Sequence, residues 1–341
     1  MKRRVLPLLI AFALLLSGCG AMAAPQKSQY QATFLTLFDT VTTIVGYADS
    51  EADFHAQAQL LHDQLLEYHQ LFDIYKEYEG VNNLKTVNDH AGIAPVEVDG
   101  RVIDFLLDCR ELYEATQGRV NVAMGSVLRL WHEARSAGVE DPANAALPEE
   151  EALRQAASHV SFDTVLIDEE ASTVYLSDPE QSLDVGAIAK GWAVEQVCRE
   201  AGLLISVGGN VRATGPRPTD GSDWVVGIQA PDGEGDDYLH TLYVSDGSVV
   251  SSGDYQRCFT VDGHRYHHII DPDTLYPAAY WRSVTVLCPD SGLADALSTA
   301  LFTLPLEEGQ ALAQRFGAEA MWLDEAGQRH YTPGFEACIR T

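Results

Sequence analysis

The sequence predicts an α+β fold, with helices and strands mixed along the chain rather than in the regular β-α alternation of a doubly wound sheet. Three observations carry that expectation. Apolar residues recur at helical spacing in two stretches: Phe54, Ala58, Leu61, Leu65 and Phe72, then Val102, Phe105, Leu106, Cys109 and Leu112. From Phe162 onward the pattern changes to short β-rich runs broken by turn residues. Finally, 341 residues with 46% hydrophobic and 21% charged side chains make a globular composition, long enough for one large or two intimate domains with a substantial core.

The N-terminus reads Met1-Lys2-Arg3-Arg4 and then an apolar run from Val5 to Leu16. That run suits the core of a signal peptide and is too short to span a bilayer. Leu16-Ser17-Gly18-Cys19 follows. Small residues before a single cysteine resemble a bacterial lipobox, in which Cys19 would be acylated and become the new N-terminus. The alternative is an ordinary secretory signal with an incidental cysteine. On the lipobox reading, residues 1–18 are signal, 19–32 a tether and 33–341 the folded unit, which sits outside the cytoplasmic membrane on a lipid anchor.

Phe34 to Gly46, rich in Thr, Val and Phe, reads as a strand. Glu51 to Phe72 is an amphipathic helix, and the second helical stretch ends where Gly118 can supply a C-terminal cap. Leu130 to Leu153 is polar and Ala-rich, a surface loop plus helix, with the weakest seam of the chain between Arg135 and Glu151. Val165–Ile167 and Thr173–Leu176 form a hairpin around 168–172. A helix is expected over Ala187–Glu200, closed by Gly202. Strands follow at Leu203–Val207, Trp224–Gln229, Leu239–Val244, Ser248–Ser251, Cys258–Val261 and Ser283–Leu287, with a late helix at Leu293–Phe302.

Charge narrows the function. Lys and Arg total 22 against 50 Asp and Glu, a net charge of −28. Loss of the signal would remove Lys2, Arg3 and Arg4 and no acid, making the mature chain three charges more negative still. Such a chain lacks the clustered cations that phosphate backbones or anionic lipid surfaces require, so no nucleic-acid partner is expected. A small anionic ligand stays open if a metal ion or backbone amides face it. The cysteines after Cys19 are Cys109, Cys198, Cys258, Cys288 and Cys338, with no C-x-x-C pair. A zinc site is therefore not expected, and zero, one or two disulfides remain possible.

Five short constellations carry possible chemistry. Asp184-Val185-Gly186-Ala187-Ile188-Ala189-Lys190-Gly191 opens a helix whose free N–H groups, with Lys190 one turn in, suit an anion; a capped surface helix is the plain alternative. Gly208-Gly209 after a strand allows close backbone approach or a simple turn. Arg257, after the small-residue turn Ser251-Ser252-Gly253, offers a guanidinium fork. His267 and His268 lie on one strand and so point to opposite faces, leaving at most one to face a site. Asp295 and Thr299 are i and i+4 on a helix; a carboxylate and a hydroxyl on one face suit a hard cation such as Mg²⁺, unless Thr299 bonds back into its own helix.

Taken in order, these segments resemble the ApbE family, the FAD:protein FMN transferases. The matching stretches are Phe38-Asp39-Thr40, Tyr75 in FDIY, Gly118–Trp131 (GRVNVAMGSVLRLW), Asp184–Gly191 (DVGAIAKG), Ile205–Asn210 (ISVGGN), Trp224–Pro231 (WVVGIQAP), Ser252–Arg257 (SGDYQR), His268–Pro272 (HIIDP) and Asp295–Ala300 (DALSTA). The resemblance runs from about Phe34 to Phe316. It implies that Tyr75, Asp184 and Lys190 contact FAD, that Ile269 lines the same pocket, and that Phe38 packs on the flavin where the family often has Met. It implies that Arg119, Val120 and Asn121 approach the flavin from the Gly118 turn. The Ala187 carbonyl, Asp295 and Thr299 would be Mg²⁺ ligands, with Ser298 where some members have Asp. His268 would stand beside the reacting phosphate and Arg257 would support the pyrophosphate.

The chain departs from the family pattern at Leu275, where DPxTGxP usually has Gly, so that turn is expected to be rebuilt; Phe38-Asp39 replaces Met-Gly. The implied reaction is attack by a Thr or Ser hydroxyl of an exported acceptor protein, such as a subunit of a membrane redox complex, on the FMN phosphorus of FAD. AMP leaves, with Mg²⁺ as Lewis acid and His268 or a nearby carboxylate assisting proton removal. The alternatives are an FAD pyrophosphatase, with water as nucleophile, and a lipid-anchored flavin-binding protein without chemistry.

Overall fold

The computed structural model describes residues 27–198, 202–231, 233, 237–255 and 257–340. Cys19 and the signal segment lie outside the described residues. In chain order the elements are β1 (Ser28–Leu37), β2 (Thr40–Ala48), α1 (Glu51–Phe72), α2 (Leu84–Asp89), β3 (Val96–Glu97), α3 (Gly100–Ala115), α4 (Gly125–Glu140) and α5 (Glu150–Ala157). There follow β4 (Val165–Asp168), β5 (Thr173–Leu176), α6 (Ala189–Val197), β6 (Leu204–Val207), β7 (Asn210–Thr214), β8 (Trp224–Gln229), β9 (Tyr238–Val244), β10 (Asp246–Gly253), β11 (Cys258–Val261) and β12 (His264–His267). The chain closes with β13 (Ser283–Cys288), α7 (Ser291–Phe302), α8 (Leu306–Arg315), β14 (Glu319–Leu323) and β15 (Arg329–Tyr331). The fold is α+β, as the mixed pattern predicts.

The organising layer is an eight-stranded sheet in the order β1-β2-β6-β7-β10-β13-β14-β15 among the described residues. Every neighbouring pair is antiparallel. One face is covered by α1, α6 and α7, whose apolar stripes (Phe54, Leu61 and Leu65; Trp192 and Val194; Leu297 and Leu301) are buried. The other face is covered by the β8–β9 ribbon, with Trp224, Val226 and Leu242 packed on Ala213, Val249 and Met321. Helix starts are fixed by side-chain caps: the Ser50 hydroxyl accepts from the Asp53 N–H, Asp99 from Arg101 and Asp290 from Leu293. A separate apolar cluster of Val127, Trp131, Leu153, Phe259 and Ile270 ties α4 and α5 to β11.

Several boundaries differ from expectation. Phe34–Gly46 is not one strand but two, joined by a turn at Phe38-Asp39, where both residues take positive φ (51° and 52°). Leu37 pairs with Thr40, so this is a two-residue hairpin of the type I′ kind that follows the right-handed twist of the strands. A turn without Gly or Pro gave no signal in the sequence. Ser28–Ala32, expected to fall in a tether, are instead paired with β2. The predicted helix over Ala187–Glu200 is described from Ala189 to Val197, leaving Gly186 and Ala187 in the turn before it. The polar stretch around Arg135 is no seam: α4 runs through it and packs Trp131 and Gly138 inward. The cysteines Cys109, Cys198, Cys258, Cys288 and Cys338 are all free thiols. Among the described residues no helix is long and apolar enough to cross a membrane.

Candidate active site

One cavity of about 590 Å³ opens where several pieces of chain converge. The hairpin tips 38–39 and 208–209 are brought side by side by the pairing of β2 with β6, in which Thr42 faces Val207. The start of α6, the middle of α7 and the loop after β12 close the remaining sides, and α4 contributes its inward face. Gly208 takes φ +57 and Gly209 +87. A Cβ on Gly208 would stand 2.6 Å from the Thr40 hydroxyl, so the close approach of the two tips requires that glycine.

The floor is a cluster of oxygens around a buried carboxylate. Asp295, on α7, is 4% exposed, and Thr299 one turn later lines the cavity with it. The Asp295 carboxylate accepts the Gly191 N–H at 2.9 Å and pairs with the Lys190 ammonium at 3.4 Å, while Lys190 also donates to the Gly186 carbonyl at 3.1 Å. Burial pushes the Asp295 carboxyl above the usual carboxylate range, opposed by Lys190 and the Gly191 N–H. Helices α6 and α7 can approach this closely because residue 191 is Gly: a Cβ there would lie 2.2 Å from the Ser291 carbonyl and 2.6 Å from the Asp295 Cβ.

No three His, Cys, Asp or Glu side chains converge as a metal cluster among the described residues. The donors at the cavity floor are instead a carboxylate, a hydroxyl and backbone carbonyls, an all-oxygen set of the kind Mg²⁺ takes, with waters completing its shell. The Lys190 ammonium, held between the Gly186 carbonyl and Asp295, shows that this cluster draws a cation. The residues present therefore fit a hard divalent ion. Ser298 is outside the cavity lining: its hydroxyl donates to the Asp295 carbonyl and bonds the Ser252 hydroxyl, both at 2.8 Å. It ties α7 to β10 instead of facing the cavity.

Positive charge gathers on the opposite wall. Arg257 and Arg135 both line the cavity, and among the described residues neither makes an ion pair, unusual in a chain this acidic. Arg135 rests on the His132 ring nitrogen at 2.9 Å. Burial, followed by the neighbouring Arg257, holds the Arg135 guanidinium below its ordinary value. His268 faces the same space. Its side chain keeps solvent access through the cavity, and partial desolvation there, then Arg257, His267, Arg135 and Lys190, holds its pKa below the usual 6.5. It is therefore a neutral base at physiological pH. His267 also borders the cavity, but both its ring nitrogens are committed to backbone: its Nε2–H donates to the Ala278 carbonyl at 2.9 Å and its Nδ1 accepts the Ile269 N–H at 3.2 Å. The expected one-strand arrangement does not hold: β12 ends at His267 and His268 sits in the bend that follows. Asp184, which accepts the Gly186 N–H at 3.0 Å, also faces this cluster, and burial raises its carboxyl.

Phe38, Tyr75 and Ile269 supply the apolar lining, with Val120 behind. Tyr75 stands at the mouth, 55% exposed, its ring 5.3 Å from that of His132; burial of the phenol, then Asp184, pushes its pKa up to about 12. Arg119 and Asn121 reach the cavity, but their polar atoms are committed to structure. Arg119 pairs with Asp271 at 3.0 Å and with Asp273. Asn121 accepts the Ala123 N–H and donates to the Val160 carbonyl, both at 2.9 Å.

The turn at Leu275 is not rebuilt. Leu275 takes φ +63 itself, its carbonyl held by the Trp131 indole N–H at 2.9 Å and its N–H by the Asp271 carbonyl at 2.8 Å. Sequence reading missed Arg135, His132 and His69. The first two were hidden in a stretch read as polar surface. Trp131 and Arg135 are i and i+4, so a helix continued through them would have placed both on one face.

Residues 38–322 match the ApbE family model. The chain is 36% identical over 260 residues to the FAD:protein FMN transferase of Treponema pallidum, covering 70% of each protein. It is 31% identical over 278 residues to one from Klebsiella pneumoniae, covering 77% of this chain and 83% of that one. Among solved structures it resembles the ApbE protein of Thermotoga maritima, with a TM-score of 0.81 and 29% identity, over 92% of this chain and all of that one. The fold of the Vibrio cholerae flavin transferase ApbE is also similar, with a TM-score of 0.75 at 24% identity, over 92% of this chain and 99% of that one.

Proposed function

Because the chain belongs to the ApbE family, we propose that it is an FAD:protein FMN transferase, which moves the FMN moiety of FAD onto a Thr or Ser hydroxyl of an exported acceptor protein and releases AMP. The observation that carries this reading is the pairing, in one cavity, of an oxygen cluster at Asp295 and Thr299 with two guanidinium groups lacking carboxylate partners and a neutral His268. A diphosphate needs that division of labour. One side accepts a hard cation and the other faces phosphate oxygens directly. Local charge therefore overrides the net charge of the chain.

Asp295, Thr299 and the Ala187 carbonyl would hold Mg²⁺, which supplies Lewis-acid charge neutralisation to the diphosphate when bound. Lys190, pinned between Gly186 and Asp295, is within reach of the same oxygens. Arg257 and Arg135 orient the diphosphate, and Phe38 and Tyr75 pack on the isoalloxazine. The acceptor oxygen attacks the FMN phosphorus, the bond to the AMP oxygen breaks, and the acceptor proton passes to the one bare ring nitrogen of neutral His268, giving the imidazolium. Burial is the larger cause of the low His268 pKa; the lesser, cationic part is offset once phosphate oxygens face Arg257 and Arg135.

The lipobox-like segment ending at Cys19 would hold the enzyme by acyl chains on the outer side of the cytoplasmic membrane, where exported acceptors reside. Incubation with FAD, Mg²⁺ and an exported flavoprotein, followed by in-gel flavin fluorescence after denaturation, tests the reaction. AMP release without flavin on the acceptor would establish FAD hydrolysis instead. Binding without AMP release would establish a carrier. Fractionation of a Cys19→Ala variant tests the anchor: it should leave the membrane fraction.

A further inference from the structure

The tip of the β1–β2 hairpin is strained. Phe38 at φ +51 has no glycine's freedom, and an aromatic residue rarely enters this region. Strain of this kind persists only where surroundings over-determine it. Here the restraint is visible. The Phe38 N–H donates to His69 Nδ1 at 3.3 Å. On the other side of that ring, Tyr78 Oη lies 3.3 Å from His69 Nε2 and donates to the Asp73 carboxylate at 2.8 Å. Donors and acceptors then admit a single arrangement. Nδ1 must be bare to accept from Phe38, so Nε2 carries the proton and donates to the Tyr78 oxygen, whose own hydrogen goes to Asp73. The second oxygen of Asp73 accepts the N–H groups of Tyr75 at 2.7 Å and Lys76 at 3.1 Å. One continuous chain of hydrogen bonds thus begins at the backbone of Phe38 and ends at the backbone of Tyr75.

We propose that Asp73, Tyr78 and His69 are positioning residues, a relay that fixes the Phe38 turn and the Tyr75 turn relative to each other and so sets the spacing of the two rings that receive the flavin. The flavin part rests on the function proposed above; the relay itself does not. The edge-on contact of the Phe38 and His69 rings, 5.5 Å between centroids at 78°, adds apolar support to the same register. Protonation of His69 would set an N–H against the Phe38 N–H and break the relay. The groups facing His69 are Asp73 and Asp39, which favour its charged form, and Lys76 and burial, which oppose it; burial dominates and keeps the ring neutral.

Two conservative variants test this. Tyr78→Phe deletes one hydroxyl and leaves the ring. His69→Asn keeps an acceptor near the Nδ1 position but severs the link to Tyr78. Amide exchange at Phe38, followed by NMR without any flavin, reads the relay directly. Its protection factor should be high in the wild type, fall about tenfold or more in Tyr78→Phe, and fall in the wild type on acidification below the His69 titration, each compared with the intrinsic exchange rate at the same pH. Equilibrium dialysis with FAD should show a Kd about tenfold higher in both variants with an altered flavin absorption spectrum, and in Tyr78→Phe an unchanged kcat at saturating FAD. A merely structural role would lower the melting temperature and leave the spectrum unmoved. Unchanged Phe38 exchange in Tyr78→Phe overturns the relay. Slowed wild-type exchange with no FAD binding by the wild type keeps the relay and overturns the flavin assignment. Intact exchange effects with FAD affinity and spectrum identical to wild type in both variants overturn the positioning role.

Discussion

Asp295 is a carboxylate kept 4% exposed with a lysine, a backbone N–H and a hydroxyl around it, an arrangement that stability alone does not favour, since an apolar residue would pack there without desolvation loss. Its replacement by Ala should abolish Mg²⁺-dependent AMP release, by at least ~10²-fold in kcat, while FAD retains measurable binding through Arg257 and Arg135. Full turnover in that variant, followed by AMP chromatography, would refute the metal assignment. His268 makes a prediction with a sign. The free enzyme holds its pKa far below 6.5, chiefly by burial and then by neighbouring cations, and bound phosphates add negative charge that offsets those cations. The acid limb of kcat, which reports the complex, should therefore lie at higher pH than the acid limb of kcat/KM, which reports the free enzyme. In His268→Gln both limbs should vanish and kcat should fall by about 10²–10⁴. At this scale the sequence told a good deal. Asp295 with Thr299 follows from helical spacing, whereas the strand expected to carry both His267 and His268 ends at His267. Ser298 was misplaced, because adjacent positions on a helix turn to different faces and its hydroxyl found Ser252.

The crossing of α6 and α7 depends on Gly191, whose added Cβ would meet the Ser291 carbonyl at 2.2 Å. Gly191→Ala should destabilise the protein by roughly 1–3 kcal/mol and also lower activity, since Gly191 donates its N–H to Asp295. Thermal unfolding and AMP release measured on one preparation would check both. The 271–277 turn inverts a usual rank order. Leu275→Ala keeps the positive φ and loses the packing of Leu275 against the Trp131 cluster; Leu275→Gly loses the same packing but relieves strain worth about 1 kcal/mol. Gly should therefore be the milder substitution, and a lower melting temperature for Gly than for Ala would contradict that account. Helices α1, α3 and α7 were legible because period and caps agree. The hairpin at Phe38-Asp39 was not, because its turn has no Gly or Pro, pairs Asp39 with an aromatic residue, and is held by His69, 31 positions away.

For the whole molecule, pH decides stability through opposing groups. Burial, the largest cause in each, lowers the pKa of His69, His132, His240, His267 and His268. An imidazole whose folded pKa lies below its unfolded value binds protons more readily when unfolded, so its contribution is complete above about 6.5 and is lost as pH falls from there toward the folded value. Asp184 and Asp295 have raised folded pKa values and work in the opposite sense, losing stability as pH rises from 3.8 toward the raised values. The histidines outnumber them, and a melting temperature roughly 2–4 °C lower at pH 5 than at pH 7 is expected; a rise on acidification would show that the buried carboxylates dominate. Composition, charge and local period by themselves determined the α+β class, the strongly acidic balance of the chain, and the residues able to hold a cation or an anion, because each of these depends on residue type and near neighbours in sequence. Only the tertiary structure decided which of them meet. Pairing of β2 with β6 sets two hairpin tips against each other, the bare Cα of Gly191 lets α7 bring Asp295 to the start of α6, and α4 delivers Arg135 to Arg257. Those contacts arise from chain segments far apart in sequence, where no local pattern carries the information.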